Sequence, residues 1–128
     1  MTKPALQRVL YVDDEPDIRE IAGMALKLDG TLSVRSCDSG KQALEQASQF
    51  RPDIILLDVM MPGMDGPSTL QALKQIPDLA AVPIVFVTAK AQRQEVERFL
   101  ALGAVSVISK PFDPMTLADQ VRAIWQVC

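Results

Sequence analysis

The sequence contains no histidine. That removes Ser-His-Asp and Cys-His nucleophilic catalysis and histidine-based zinc sites, leaving carboxylates, lysine, hydroxyls or a borrowed metal for any chemistry. Cysteine is nearly missing as well. Cys37 and Cys128 stand at no metal or redox spacing, which points to a reduced, cytoplasmic setting. No apolar run approaches the length needed to span a bilayer, and the opening Met1-Thr2-Lys3-Pro4 lacks the apolar centre of a secretion signal. Nor is there a surplus of positive charge. With 13 Lys+Arg against 16 Asp+Glu and no basic run, direct nucleic-acid or membrane-surface binding is not expected. Internal repeats, low-complexity segments and interdomain linkers are absent too, so residues 1–128 read as one domain. A chain of that length buries roughly two-thirds of its unfolded surface and needs no staples.

What is present is organised around Asp53-Ile54-Ile55-Leu56-Leu57-Asp58-Val59-Met60-Met61-Pro62-Gly63-Met64-Asp65-Gly66. The apolar run shows no polar alternation, the mark of a strand buried on both faces inside a parallel sheet. It stops at Asp58, and Pro62-Gly63 then forces a turn. Carboxyl ends of such strands are where open α/β sheets bind ligands.

Taken in order, Leu6 to Val12 contains a first strand, Val9-Leu10-Tyr11-Val12, ending at Asp13-Asp14-Glu15. Pro16 suits the first turn of a helix carrying Ile18, Ile21, Ala22, Ala25 and Leu26, which Gly30 is placed to end. Leu32 to Ser36 is a second strand. Ser39 can cap a second helix with Ala43, Leu44 and Ala47, broken at Arg51-Pro52. After the third strand, Pro67 opens a helix lined by Leu70, Leu73 and Ile76 and stopped by Pro77. Val82 to Val87 is a fourth strand, with Pro83 tolerable near its start. Val96, Phe99 and Leu100 mark a fourth helix closed by Gly103. Ala104 to Ile108 is a fifth strand, and Asp113-Pro114 opens a last helix with Leu117, Val121 and Ile124 facing inward. Strict alternation with short connections predicts an α/β fold: a doubly wound (βα)5 parallel sheet with helices on both faces.

Four of the five strands end at a chemical group: Asp13/Asp14, Asp58, Thr88 and Lys110. In the flavodoxin-like order 2-1-3-4-5 those strands are neighbours, so the groups gather around one shallow pocket. Three carboxylates there need compensation. Lys110 offsets one charge, and a divalent cation with hard oxygen ligands, Mg²⁺, offsets more. A carboxylate so placed can attack phosphorus, since positioning and charge neutralisation are most of what phosphoryl transfer requires. Asp58, alone at its strand end, is the candidate nucleophile, with Asp13 and Asp14 as a metal-holding pair.

The stretches Val12-Asp13-Asp14-Glu15, Leu57-Asp58-Val59-Met60-Met61-Pro62-Gly63-Met64-Asp65-Gly66, Val87-Thr88-Ala89 and Lys110-Pro111-Phe112 together resemble the receiver domain of two-component response regulators, over nearly the whole chain. Four motifs in this order and spacing are highly specific. The resemblance implies that Asp58 is the phosphoacceptor, taking a phosphoryl group from a phosphohistidine on a sensor histidine kinase or histidine phosphotransfer protein. It implies that Asp14 binds Mg²⁺ directly with Asp58 and the Met60 backbone carbonyl, while Asp13 acts largely through water. Thr88 would bond one phosphoryl oxygen and Lys110 another, and the Lys110-Pro111 bond is expected to be cis. Family members meet downstream partners through helix 4, strand 5 and helix 5. Here the outward candidates are Arg93, Glu97, Ser106 and Asp119, and homodimerisation is open. Such a domain is a switch that phosphorylates and dephosphorylates itself, not a turnover enzyme.

Three positions depart from the commonest pattern. Val107 stands where many receivers carry Tyr or Phe, and a valine cannot swing a ring inward. Met60 and Lys90 flank the path of the attacking water and should alter the lifetime of the acyl phosphate. Among rival readings, a haloacid-dehalogenase-type phosphatase would need a second Asp where Met60 stands, plus room for a cap domain. A flavodoxin-like cofactor binder would need a phosphate loop where Asp13-Asp14-Glu15 repels phosphate. A degenerate receiver acting as a phosphorylation-independent interaction module is the alternative. Taken singly, Asp13-Asp14 could cap a helix, and Met60, Met61 and Met64 could simply fill gaps. Tyr11 and Trp125 read as packed residues, and Cys37 as a small buried one.

Overall fold

A computed structural model describes residues 3–128; Met1 and Thr2, part of the segment read for a secretion signal, lie outside the described residues. Five strands, β1 (Arg8–Val12), β2 (Ser33–Cys37), β3 (Ile54–Asp58), β4 (Ile84–Thr88) and β5 (Ser106–Ser109), alternate with five helices. These are α1 (Pro16–Leu26), α2 (Gly40–Phe50), α3 (Gly66–Lys74), α4 (Arg93–Leu102) and α5 (Leu117–Val127). The sheet is parallel throughout, in the expected order β2-β1-β3-β4-β5. Register places Val12 beside Leu57, Asp58 beside Val87 and Thr88 beside Ser109, so the ends of β1, β3, β4 and β5 are level.

Every residue of β3 and β4 is buried, and the period-two geometry of strands sends alternate side chains into two separate cores. Ile54, Leu56, Val85 and Val87 pack with Ala22, Ala25 and Leu26 of α1 and Leu117, Val121 and Trp125 of α5. Ile55, Leu57 and Phe86 pack with Ala43 and Ala47 of α2, Leu70 and Leu73 of α3, and Phe99 of α4. Each large side chain so buried contributes about 1.5–3 kcal/mol. That sandwiched centre is why β3 reads as an unbroken apolar run. It also makes the strand ends a rigid frame.

Local chemistry moves several boundaries. α1 stops at Leu26, not at Gly30: the Lys27 N–H folds back on the Gly23 and Met24 carbonyls, and Gly30 (φ 73°) serves the turn beyond. α3 stops at Lys74, short of Pro77. Pro77 disfavours helical geometry at Ile76, so the last turn tightens, Gln75 and Ile76 donating to Ala72 and Leu73. α5 begins at Leu117, not at Asp113-Pro114, because the Asp113 carboxylate and carbonyl capture the Met115 and Thr116 N–H groups in a separate turn. β4 starts just after Pro83, whose carbonyl accepts from Ile55 N. β1 begins at Arg8, one residue before the expected Val9, and β5 at Ser106, two residues after the expected Ala104. Ile21 and Leu100, which mark the helical spacing of α1 and α4, are exposed, while Ile124, expected to face inward, is half-buried. Ser39 caps α2 as expected, accepting from Gln42 N. Arg51, at φ 56°, ends that helix before Pro52.

The turn after β3 is fixed at Asp65-Gly66. The Asp65 carboxylate accepts from Ser68 N at 2.8 Å, and Gly66 N donates to Val59 O at 2.9 Å. A Cβ at Gly66 would stand 2.6 Å from Asp58 O and 2.8 Å from Val59 Cα, both backbone atoms that cannot step aside cheaply. Gly66→Ala is therefore expected to cost about 1–3 kcal/mol in denaturant unfolding and to shift the Asp58 and Val59 amide resonances. Wild-type stability with unmoved resonances would contradict this packing.

Candidate functional site

Strand ends on one level bring the chemical groups together. Asp13 follows β1 and is fully buried; its N–H donates to Cys37 O at 3.1 Å, and Arg19 Nη1 donates to its carbonyl at 2.8 Å. Its carboxylate is fully engaged as well. Oδ2 accepts from Tyr11 Oη at 3.0 Å and meets Lys110 Nζ at 2.8 Å, while Oδ1 accepts from Glu15 N at 3.0 Å. Asp14, next in the chain, is half-buried. Asp58 ends β3, buried, with Oδ1 3.1 Å from the same Lys110 Nζ. Glu15 lies farther out, 3.8 Å from that ammonium.

Thr88 ends β4 buried, and its hydroxyl oxygen accepts from Lys90 N at 3.0 Å, which leaves the hydroxyl hydrogen free to donate. Lys110 is held from behind, its N–H donating to Thr88 O at 2.8 Å, and the Lys110-Pro111 bond is cis as expected. Asp58, Thr88, Lys90, Lys110, Met60 and Glu15 line a cavity of about 150 Å³. Met60 is 72% exposed at its rim. A larger cavity of about 270 Å³, near Arg51, Asp78 and Val82, lies at the amino ends of the strands and holds none of these groups.

Carboxylate oxygens of Asp13, Asp14 and Asp58 lie within 4.8 Å of one another. Such an all-oxygen, anionic donor set fits a hard divalent cation. Charge crowding shows in the titration of Asp58: burial, then the neighbouring Asp13 charge, push its carboxyl up to about 6 despite Lys110. For Lys110, burial disfavours the charge, but bonds to Asp13 and Asp58 outweigh it and hold its pKa above the ordinary lysine value. Cys37 is buried, its thiol pushed up to about 11 chiefly by that burial, which leaves it unreactive.

Of the sequence-predicted site residues, Asp58, Thr88, Lys110 and Met60 line this cavity, and the Asp13 and Asp14 carboxylates stand beside Asp58. Tyr11, read only as a packed residue, touches the site directly. The signal was its place two residues before Asp13 on a strand, hence on the same face. Gly66, quoted in its motif without a role, is the close-packing point behind Asp58. Val107 is half-buried against the core that holds Phe86 and Phe99. Ser106, expected outward, is half-buried, whereas Arg93, Glu97 and Asp119 are exposed. Trp125 is packed, as expected, with Nε1 donating to Pro4 O at 2.8 Å.

A doubly wound sheet with an acidic, lysine-bridged pocket at its carboxyl edge defines a class of signalling domain. The Response regulator receiver domain family matches residues 9–122, and the chain belongs to it. The transcriptional regulatory protein CseB of Streptomyces coelicolor is 40% identical over 116 residues, 91% of this chain and 48% of that protein. The DNA-binding response regulator MtrA of Mycolicibacterium smegmatis is 38% identical over 117 residues, 91% of this chain and 50% of that protein. The chain thus spans about half the length of these relatives. Among solved structures, Vibrio cholerae chemotaxis protein CheY4 superposes with a TM-score of 0.85 at 31% identity, covering 94% of this chain and 99% of that one. No helix among the described residues is long and apolar enough to cross a membrane.

The raised Asp58 carboxyl carries a stability consequence. Below about pH 4 it is protonated folded or unfolded and contributes nothing; as pH rises from about 4 to about 6 the unfolded chain ionises it more readily than the folded state, so stability falls across that range and stays lowered above it. Metal-free Asp58→Asn is expected to be more stable than wild type at pH 7 by about 1–3 kcal/mol, with no advantage near pH 4. Equal denaturation midpoints at both pH values would contradict the crowding.

Proposed function

We propose that this chain is a phosphorylation switch in which Asp58 accepts a phosphoryl group, in the presence of Mg²⁺, from a phosphohistidine on a sensor histidine kinase or histidine phosphotransfer protein. One observation carries the reading: a single ammonium, Lys110, reaches both the β1 and the β3 carboxylate, beside a hydroxyl with a free hydrogen. An Asp58 oxygen forms the new bond to phosphorus as the phosphorus–nitrogen bond breaks, and the departing imidazole nitrogen keeps the electron pair and is protonated. Lys110 then moves from the carboxylate to a phosphoryl oxygen, and Thr88 donates to another. Asp14, Asp58 and the Met60 carbonyl would hold Mg²⁺, which when bound neutralises charge on carboxylate and phosphoryl oxygens. Asp13, its oxygens already engaged by protein donors, would reach the ion through water. Met60 and Lys90, at the cavity rim, would govern the water that hydrolyses the acyl phosphate. The chain would act as one cytoplasmic domain over residues 1–128.

The donor's approach has a matching surface. A groove of about 310 Å³ shares Glu15 and Lys110 with the site and is walled by Ile18, Ile21, Phe112 and Pro114. Ile21 is exposed in that wall, and Met24, Leu28 and Met115 are further exposed apolar side chains of the chain. A protein delivering its phosphohistidine to Asp58 would rest there. Output would leave through the α4–β5–α5 face, where Arg93 and Glu97 form an exposed pair and Asp119 projects, toward a downstream protein or a second copy. This part of the chain has no basic surface run for nucleic acid; the DNA-binding named for MtrA belongs to a protein about twice as long.

The test is intact mass after incubation with Mg²⁺ and acetyl phosphate. Wild type gains one phosphoryl group, while Asp58→Asn and wild type with excess chelator gain none. Ile21→Glu gains it from acetyl phosphate at the wild-type rate but more than tenfold slower from a phosphorylated histidine phosphotransfer protein. Absence of any adduct on wild type would favour a phosphorylation-independent interaction module instead.

A further inference from the structure

Tyr11 has a task that packing does not explain. Its ring is 1% exposed, set in the core shared with α1 and α5. A phenylalanine would fill that volume without a hydroxyl, and a buried hydroxyl is unfavourable unless it is bonded. Here it donates to Asp13 Oδ2 at 3.0 Å, the oxygen that Lys110 Nζ meets at 2.8 Å. Glu15 N holds the other oxygen at 3.0 Å. Asp13 is thereby clamped from the core side and from the loop side, and Lys110 is anchored to a carboxylate that cannot turn.

We propose that Tyr11 is a positioning residue for phosphoryl transfer: its hydroxyl locks the Asp13 carboxylate, and Asp13 in turn holds Lys110 at the distance from Asp58 at which it can pass to a phosphoryl oxygen. The proposal rests on Asp58 being the phosphoacceptor. Without the hydroxyl, Asp13 Oδ2 keeps Lys110 but loses its core-side donor, so Lys110 loses its fixed partner just when it must let go of Asp58. A small misplacement of a charge-stabilising group is costly, because the group is effective only where the charge develops. The Mg²⁺ ligands, Asp14, Asp58 and the Met60 carbonyl, are untouched by this change, so binding of the ion and transfer of the group should separate.

The experiment compares wild type with Tyr11→Phe, which keeps the ring. Expected is a phosphorylation rate at saturating Mg²⁺ and acetyl phosphate about tenfold lower in the variant, with Mg²⁺ affinity within about threefold of wild type. A purely structural role would not produce that split. A second readout needs no variant: Tyr11 is the only tyrosine, so its phenolic proton gives one identifiable NMR signal. That proton should be protected from exchange in the resting protein and should shift on phosphorylation as Lys110 moves. A Tyr11→Phe rate within twofold of wild type, or a freely exchanging phenolic proton, would overturn the positioning role while leaving Asp58 as acceptor. A wild type that takes up no phosphoryl group would overturn both.

Discussion

One ammonium group between two buried carboxylates holds the carboxyl edge of this sheet together. Lys110 lies 2.8 Å from Asp13 and 3.1 Å from Asp58, so it ties the end of β5 across β4 and β3 to β1. Removing Lys110 would leave two buried carboxylates facing each other uncompensated, which is far costlier than losing an exposed ion pair. Yet one positive charge does not balance three neighbouring carboxylates. Burial, and after it the uncompensated negative charge of Asp13, raise the Asp58 carboxyl, and the cluster's all-oxygen donor set fits a dication. Fold stability and site reactivity thus draw on the same electrostatic arrangement.

Around that centre, the architecture acts mainly as a ruler. Two apolar cores clamp β3 and β4 from both faces and keep their ends level, so that Asp58 and Thr88 reach a common pocket. The loop after β3 is drawn tight by Gly66, whose missing side chain lets α3 approach the backbone of Asp58 itself. Phe86 and Phe99 meet edge to face at 5.0 Å and join β4 to α4, with Val107 packed alongside. No ring stands at position 107, so the aromatic swing found in many receivers has no side chain here to carry it.

Much of this was legible in the sequence. The unbroken Ile54–Leu57 run and the strict alternation predict a doubly wound parallel sheet, and the flavodoxin-like strand order, taken by analogy, brings Asp13, Asp14, Asp58, Thr88 and Lys110 together. Less legible were the places where side chains compete with the backbone. Asp113 captured N–H groups that a helix would have used, and α5 started late. Lys27 folded back to end α1, leaving Gly30 to the following turn. Such contests turn on a hydrogen bond or two, about 1 kcal/mol each, and pattern does not resolve them. Tyr11 was obscured for another reason: its ring satisfies the apolar pattern, and only the three-dimensional neighbourhood reveals where the hydroxyl points.

Burial and crowded charge, not hydrogen bonding alone, set the protonation of Asp58. The most direct measurement is the pH titration of the Asp58 side-chain carboxyl by carbon-13 NMR, without and with Mg²⁺. The expected midpoint is near 6 in the metal-free protein, with a clear downward shift when the ion is present. A metal-free midpoint at or below the ordinary aspartate value, unchanged by Mg²⁺, would mean that Lys110 already balances the site and that neither burial nor neighbouring charge perturbs Asp58.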